Sequence, residues 1–231
     1  MLHKYFLSFL CLVIFLPAYS QELEDPYRFS QVSNLDFDIG QGALLMQLDY
    51  HHVHRLNPEN RFRMGYGVAL MQYRGFDDVD YRTKEAEENI NLGLDTLQVE
   101  NPSIAALNLF LLVNYAPNDR VDFGFAIDVV GVGWGKPQDA VLASGPDDPQ
   151  PIGAIADPVN FNSSLFSSGS WRSQFHLRYW LFPRIALHTG LTYWVSAYEV
   201  QEDFNLEQDV FTHSSFLWRV GLSFRWGYKT F

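Results

Sequence analysis

The sequence predicts an all-β protein, an antiparallel up-and-down transmembrane β-barrel with eight strands. Three observations lead to this fold class: segments of alternating apolar and polar residues, an N-terminal export signal, and short connections that alternate with long ones along the chain. Alternation with a period of two places the two sets of side chains on opposite faces of a strand. A membrane barrel is built from such strands, with one face toward lipid and the other toward a polar interior.

The segment from Phe216 to Tyr228 shows this alternation most clearly. One face carries only large apolar residues, and the other carries Arg219 and Arg225 among mostly small residues. A soluble, exported β-barrel or sandwich would also alternate, and it stays open as an alternative. It should, however, have a hydrophilic outer face, whereas the apolar faces here are nearly free of charge and rich in aromatic residues.

Seven further segments are predicted to be strands, and together they give an even number. The first alternates least clearly and is included because an outward strand must precede the first clear inward one. The eight predicted strands are Tyr27–Asp38, Ala43–His54, Phe62–Tyr73, Ala105–Tyr115, Val121–Val129, Trp171–Leu181, Ile185–Ala197 and Phe216–Tyr228.

The connections indicate the orientation of these strands. Tight turns at 57–60, 117–120 and 183 alternate with long polar segments at about 75–103, 135–169 and 199–212. Outer-membrane barrels have short periplasmic turns and long extracellular loops, so the three long segments are expected to face outward.

The first 20 residues have the features of a secretory signal peptide. Lys4 precedes a short apolar run, and Ala18-Tyr19-Ser20 is a small-x-small cleavage signal. We therefore expect a signal peptide at 1–20 and one barrel domain at 21–231, in the outer membrane of a Gram-negative bacterium. Cys11, the only cysteine, lies within the apolar run, so the mature chain is expected to lack disulfides.

Composition excludes one class of partner. The formal net charge is −11, and nucleic-acid binding needs a basic surface, so no nucleic-acid partner is expected. No motif indicates a cofactor.

This architecture resembles the small eight-stranded outer-membrane barrels of the OmpA/OmpX-like superfamily, over nearly all of the mature chain. The terminal Phe231 resembles the aromatic terminus that the barrel-assembly machinery recognises, although it is out of phase with Phe224, Trp226 and Tyr228. The resemblance implies an interior filled by side chains, with outer-membrane lipid, lipopolysaccharide and the assembly machinery as partners.

Charged and polar residues on the inward faces predict a polar network inside the barrel. Six arginines and three aspartates there must be paired, because an isolated buried charge is costly. The surplus of arginine leaves open a narrow, anion-preferring pore. The predicted network contains Asp49, Arg61, Arg63, Asp122, Asp128, Arg172, His176, Arg178, His188, Arg219 and Arg225.

Aromatic residues near strand ends are expected to lie at the two membrane interfaces. The predicted set is Trp171, Tyr179, Tyr193, Trp218, Trp226 and Tyr228.

The predicted outer loops are acidic, with Asp77, Asp78 and Asp80 in the first. They could dock to the cation-bridged lipopolysaccharide surface or bind an unknown extracellular partner, or they could simply be solvated. Their spacing does not form an EF-hand loop. His52 and His54 share a strand face but have no nearby carboxylate or thiol on it, so no metal site is predicted.

One weak catalytic candidate exists. His213-Ser214-Ser215 resembles the His-x-Ser pair of outer-membrane lipid A 3-O-deacylases, in which the histidine acts as base to a serine nucleophile. The flanking residues of that motif are absent. The sequence therefore predicts a non-enzymatic barrel with a structural or surface-interaction role, a plugged polar lumen and acidic loops. A narrow porin-like channel is the alternative, and a lipid A deacylase-type hydrolase is a more distant one.

Overall fold

The computed structural model describes residues 29–56, 61–83, 96–143, 151–200 and 210–226, which form one antiparallel sheet of thirteen strands. The strands are β1 Phe29–Gly40, β2 Ala43–Arg55, β3 Phe62–Gly75, β4 Val79–Arg82, β5 Thr96–Val99, β6 Ser103–Tyr115, β7 Val121–Trp134, β8 Gln138–Ala143, β9 Ile152–Pro158, β10 Phe161–Asn162, β11 Trp171–Phe182, β12 Ile185–Val200 and β13 Val210–Trp226. The predicted signal peptide lies outside the described residues. No helix in the described part of the chain is long and apolar enough to cross a membrane.

Eight of these strands close into a ring, which we call the main ring. Each strand pairs antiparallel with the next in the order β1, β2, β3, β6, β7, β11, β12 and β13. β13 then pairs with β1 through nine residues, from Gln31↔Trp226 to Ile39↔Trp218, so the first and last strands close the ring.

The β1–β2 hairpin shows why tight turns occur where they do. Gln41 and Gly42 both have positive φ, at 47° and 70°. Two consecutive residues with positive φ form the turn type whose twist matches that of paired strands. The hairpin therefore pairs without a break from Gly40↔Ala43 to Phe29↔His54.

The other five strands lie in segments that the sequence analysis took to be long loops, and this expectation was wrong. β9, β8, β5 and β4 pair with one another in that order. β9 also pairs with the C-terminal end of β12, and β4 pairs with the N-terminal end of β13. β12 and β13 in turn pair with each other. These six strands close a smaller second ring. β10 instead pairs with β7 near the C-terminal end of that strand.

Burial alternates along the strands as the sequence predicts. In β6, for example, every second side chain from Ile104 to Asn114 is buried, and the side chains between them are exposed or half-buried. Inward side chains at the end of the main ring next to the second ring, together with those of the second ring, form one apolar cluster. It includes Leu45, Met71, Tyr73, Trp194, Leu217, Tyr81, Leu97, Leu142, Tyr198 and Phe211.

The all-β antiparallel class is confirmed, and all eight predicted strands are present with somewhat different ends. β1 runs from Phe29 to Gly40 rather than from Tyr27 to Asp38, and β13 begins at Val210 rather than Phe216. Sequence alternation underestimated the number of strands because the short strands β4, β5 and β8–β10 have two to seven residues each, too few to show a period.

Candidate functional site

The interior of the main ring holds a cluster of buried charges, which is the most unusual chemical feature of the molecule. Its members are on seven strands whose alternation points every second side chain inward. The fully or nearly fully buried polar members are Asn34, Asp36, Asp38, Gln47, Asp49, His51, Asn108, Asp122, Asp128, Arg172, Gln174, His176, Arg178, His188, Thr192, Arg219 and Ser223. We call this set the interior network.

Arg219 is the hub of the network at mid-height. Its guanidinium donates to the Asp36 carboxylate and to the Gln174 side-chain carbonyl, and it lies 3.5 Å from Asp49 Oδ2. The same Asp49 accepts from Asn34 at 3.0 Å and contacts His51 Nδ1 at 3.0 Å. Arg219 thus joins β13 to β1, β2 and β11, all of which are distant from it in sequence.

Arg172 makes a second centre on the β7–β11 side. Its Nε donates to Asp128 Oδ1 at 3.0 Å, and its backbone N–H donates to Asp128 Oδ2 at 3.1 Å. Gln47 links this pair to Asp38, since it accepts from Arg172 and donates to Asp38. Thr192 also donates to Asp38 at 2.5 Å.

Arg178 makes a third centre toward the end of the main ring where the short turns lie, which we call the short-turn end. It donates to Asp122 Oδ1 at 3.1 Å and to Ser223 Oγ at 2.8 Å. Trp180 Nε1 donates to the other Asp122 oxygen at 2.8 Å. The guanidinium carbon of Arg225 lies 3.7 Å from the Trp180 ring centroid, so a cation–π pair covers this end of the network.

The charge balance of the network differs from the prediction. Five aspartates and three arginines are buried there, whereas the sequence analysis expected six arginines and three aspartates. Fewer arginines are buried than the sequence analysis expected on the inward faces, because Arg61 is exposed and Arg63 and Arg225 are only half-buried. The two additional aspartates, Asp36 and Asp38, are on β1.

Three histidines accompany these carboxylates. His51 contacts Asp49, His188 contacts Asp36, and His176 Nε2 lies 4.0 Å from Asp122 Oδ1. Because the buried aspartates outnumber the arginines by two, neutral side chains supply further donors: Asn34 donates to Asp49, Thr192 to Asp38, and Trp180 to Asp122. An ion pair in low dielectric is stable only when such additional hydrogen bonds are made.

The interior also holds a Ser–His–Asp arrangement that the sequence analysis did not identify. His188 lies between Ser223 Oγ, 2.9 Å from Nδ1, and the Asp36 carboxylate at Nε2. Ser223 Oγ also accepts from Arg178 and donates to Asn34 Oδ1 at 2.7 Å. The oxygen is thus surrounded by partners and fully buried, and a nucleophile needs a free lone pair facing substrate.

The predicted catalytic candidates lie elsewhere, at the junction of the two rings. His213 and Ser215 are on the same face of β13, as their spacing implies. His213 Nδ1 contacts the Asp80 backbone oxygen at 3.0 Å, and its ring lies against Tyr81. Ser215 is buried below it, opposite Trp194 in the β12–β13 register.

Buried tyrosines of the second ring complete this junction. Ser196 Oγ donates to the Tyr81 hydroxyl at 3.1 Å, and Tyr198 accepts from the Ser103 backbone N–H at 3.0 Å. Burial raises the pKa of the Tyr81 hydroxyl well above its usual value of 10. The hydroxyl therefore stays protonated and links β4 to β12 through its hydrogen bond with Ser196.

The outward faces of the main ring form an apolar belt. Its exposed residues include Leu35, Phe37, Ile39, Met64, Tyr66, Leu109, Leu111, Phe123, Phe125, Phe175, Leu187, Leu191, Trp218, Val220 and Leu222. An exposed apolar surface of this extent is exceptional for a protein surrounded by water.

The predicted interface aromatics are mostly on this outward surface. Trp171 and Tyr193 contact each other with ring centroids 5.9 Å apart, and Tyr193 contacts Phe216 at 5.1 Å. Trp218 and Tyr179 are exposed, whereas Trp226 is half-buried and donates to Ser33 Oγ at 2.9 Å. Tyr228 lies outside the described residues.

Among the described residues, no group of three or more histidine, cysteine or acidic side chains is arranged to hold a metal ion. His52 and His54, considered above for metal binding, both stack on the outward Tyr66 ring, at 5.6 Å and 5.8 Å.

Sequence reasoning missed several members of the network, above all Asn34, Asp36 and Asp38. A signal for them was present, because they alternate with Leu35, Phe37 and Ile39 on the segment that was judged least regular. Ser223 and Thr192 gave no such signal, since small hydroxyl residues on an inward face do not indicate a partner.

No family model matches the chain, and no curated protein matches it either. Solved structures similar to the chain include Neisserial surface protein A, with 10% identity, 88% of this chain and 99% of the other covered, and a TM-score of 0.38. They also include the attachment invasion locus protein Ail of Yersinia pestis, with 11% identity, 86% and 95% covered, and a TM-score of 0.31.

A major outer membrane protein from Thermus thermophilus is a third, with 13% identity, 85% and 99% covered, and a TM-score of 0.38. Ail and the Thermus protein are described as outer membrane proteins. At such identities and TM-scores, the similarity leaves the function to be argued from the geometry of the chain itself.

Proposed function

We propose that this chain is an outer-membrane β-barrel protein with a closed, polar interior and a structural or surface-interaction role. The main ring is the membrane-spanning barrel of eight strands, and the second ring lies on the extracellular side. The short-turn end then faces the periplasm. Export and removal of residues 1–20 precede insertion into the membrane.

The observation that carries this proposal is the inversion of polarity across the wall of the main ring. Arg172, Arg178 and Arg219 are buried inside, while large apolar side chains such as Leu109 and Trp218 are more than half exposed outside. In water this arrangement would expose the apolar surface and bury the charges, both at a cost. In a bilayer the belt contacts acyl chains, and closure pairs each strand of the main ring with a neighbour on both sides.

A closed interior is supported at both ends. At the short-turn end, Trp180 and Arg225 stack over the charges. At the other end, the apolar cluster continues from Leu45 and Trp194 of the main ring into Leu97 and Phe211 of the second ring. Between these ends, the charged side chains bond to each other across the interior.

Planar-bilayer recording of the purified, refolded protein tests the closed interior. We expect no single-channel steps from the unmodified chain. Regular steps of defined conductance would contradict a closed interior and favour the narrow porin-like channel. Absence of heat-modifiable mobility in the outer-membrane fraction would contradict the barrel itself and favour a soluble exported β-domain.

We also infer a non-enzymatic role. The candidate residues for a lipid-deacylating activity are His213 with Ser215, and Ser223 with His188. Mass spectrometry of lipid A from cells expressing the chain should show no loss of acyl chains. An acyl loss that disappears in Ser215→Ala or Ser223→Ala would overturn this inference.

The partners proposed for the outer surface are lipopolysaccharide and divalent cations bound to it. Among the described residues, Asp77, Asp78, Asp80 and Asp139 are exposed on the second ring and its edge. Chelation of divalent cations is expected to weaken the association of the protein with lipopolysaccharide in co-purification. Unchanged association after chelation would remove cation bridging from the proposal.

A further inference from the structure

The segment that joins the second ring to β11 forms a small hairpin that pairs with β7 and lies beside it in the wall of the main ring. β10 pairs with β7 through Phe161↔Val132 and Asn162↔Gly131, and the chain then turns back at a Ser163↔Ser168 bridge. We call residues 161–168 the wall hairpin. Gly169, with φ of 66°, follows it, and an added Cβ there would lie 2.1 Å from the Phe161 oxygen.

The tip of the wall hairpin exposes two large apolar side chains. Leu165 is 72% exposed and Phe166 is 76% exposed, the highest values among the described large hydrophobic residues. Neither lies in the strand pattern that produces the apolar belt, so alternation does not account for their exposure. A tip surrounded by water would favour polar residues.

Polar groups of the wall hairpin are largely hydrogen-bonded to the protein. Ser163 and Ser168 exchange two backbone hydrogen bonds of 2.7 Å and 2.9 Å. The Ser163 hydroxyl donates to the Val129 oxygen at 3.0 Å, and the Ser164 hydroxyl donates to the Asp128 oxygen. This is the condition that a segment in lipid must meet, because acyl chains offer no hydrogen-bond partner.

The hairpin descends alongside β7 to the level where β11 begins. Ser164 contacts the Asp128 backbone, and the first residues of β11 bond to the Asp128 side chain through the Arg172 N–H. Trp171, which precedes Arg172, belongs to the outward aromatic arc with Tyr193 and Phe216. The base of the wall hairpin therefore lies next to the outward aromatic residues Trp171, Tyr193 and Phe216.

Charge separates this segment from the other long connections. No charged residue occurs from Pro158 to Trp171, whereas the connection after β3 contains Asp77, Asp78 and Asp80. The apolar surface is also continuous: Val130, Val132 and Phe161 are exposed on the wall beside the tip. Aromatic and aliphatic residues near a bilayer boundary anchor a protein there.

We propose that the wall hairpin is a membrane anchor that places Leu165 and Phe166 among the acyl chains of the outer leaflet. This inference rests on the proposed function, in which the main ring spans the membrane. The hairpin thereby attaches the second ring to the bilayer on the β7–β11 side.

The anchor is tested by fluorescence from single introduced cysteines. Cys11, the only cysteine, lies in the predicted signal peptide, so the refolded mature chain offers a background without thiols. Phe166→Cys is labelled with the environment-sensitive dye NBD and reconstituted in phosphatidylcholine vesicles. Quenching is then compared between nitroxide-labelled phosphatidylcholine and aqueous iodide.

Two controls bracket the measurement. Leu109→Cys reports on the apolar belt, since Leu109 is exposed on the outward face of β6. Gly153→Cys reports on the second ring, where an added Cβ meets nothing within 4 Å. Heat-modifiable mobility of each variant confirms that the labelled protein is folded.

We expect NBD at position 166 to behave like NBD at 109, with blue-shifted emission, strong nitroxide quenching and weak iodide quenching. Iodide quenching at 166 equal to that at 153, with 109 still lipid-accessible, would overturn the anchor and leave the barrel proposal intact. Iodide access at 109 as well would overturn the proposed function. Protection at 166 from both quenchers would indicate a protein neighbour and would also overturn the anchor.

Discussion

At the residue scale, Arg219 is expected to be the most sensitive position in the interior. Its replacement by Met leaves Asp36 and Asp49 buried without their shared cation. Breaking a buried ion pair from one side costs about 3–5 kcal/mol, so Arg219→Met should lower the free energy of unfolding by that amount. Urea unfolding of the refolded protein in detergent micelles, followed by tryptophan fluorescence, measures it.

Arg120→Met is the matched control, because Arg120 is an exposed residue of the 116–120 turn. A surface substitution of this kind changes stability by about 0.5 kcal/mol or less. The double variant Asp36→Asn/Arg219→Met should lose less than the sum of the two single variants, since each removes the same contact. Additive losses would show that the two side chains do not interact.

Ser223 provides a second residue-scale prediction, which separates packing from catalysis. Ser223→Ala removes the oxygen that accepts from Arg178 and contacts His188 Nδ1, so these two buried side chains lose a partner. The loss is expected to be about 1–3 kcal/mol, measured by the same unfolding experiment. A fluorophosphonate probe should leave the folded, unmodified protein unlabelled, and covalent labelling at Ser223 would contradict the structural role.

At the element scale, close packing of adjacent strands limits which side chains fit. An added Cβ at Gly190 of β12 would lie 2.0 Å from the Phe175 oxygen of β11, whereas Gly153 of β9 has open space. Gly190→Ala should therefore destabilise the protein by about 1–3 kcal/mol through overpacking. Gly153→Ala is its control and should have little effect. Equal midpoints for the two variants in urea would contradict the observed β11–β12 spacing.

At the scale of the whole molecule, pairing between the first and last strands closes the main ring. Ser33 and Phe224 are register partners in β1 and β13. Ser33→Cys/Phe224→Cys should form an intramolecular disulfide on oxidation, because directly opposite residues meet the distance that a disulfide needs. The product is detected as a mobility difference between reduced and non-reduced denatured protein.

Leu35→Cys/Phe224→Cys is the matched control for ring closure. Leu35 pairs with Leu222, so this pair is diagonal by two residues. Diagonal positions are about 7–8 Å apart and exceed the usual disulfide span. Equal cross-linking in both variants would indicate that the β1–β13 register differs from the one described.

Much of the fold could be predicted from the sequence because it depends on local information. A period of two determines which side chains share a face, so the eight ring strands and the inward positions of Asp49, Arg172 and Arg219 were predicted. The order of short and long connections follows from turn residues. The lipid environment and the absence of enzymatic activity are predictions that the experiments above address, and the export signal stays a prediction.

Only the tertiary structure decided which inward charges meet and what the long connections become. Arg219 and Asp36 are 183 residues apart in sequence, and their contact depends on closure of β1 onto β13. β4, β5, β8 and β9 are too short to show a period, and each also pairs with a strand that is distant in the chain. The sequence thus determines the faces of each strand, because alternation is local. Closure, register and charge pairing come from the tertiary structure, because they require strands far apart in the chain to meet.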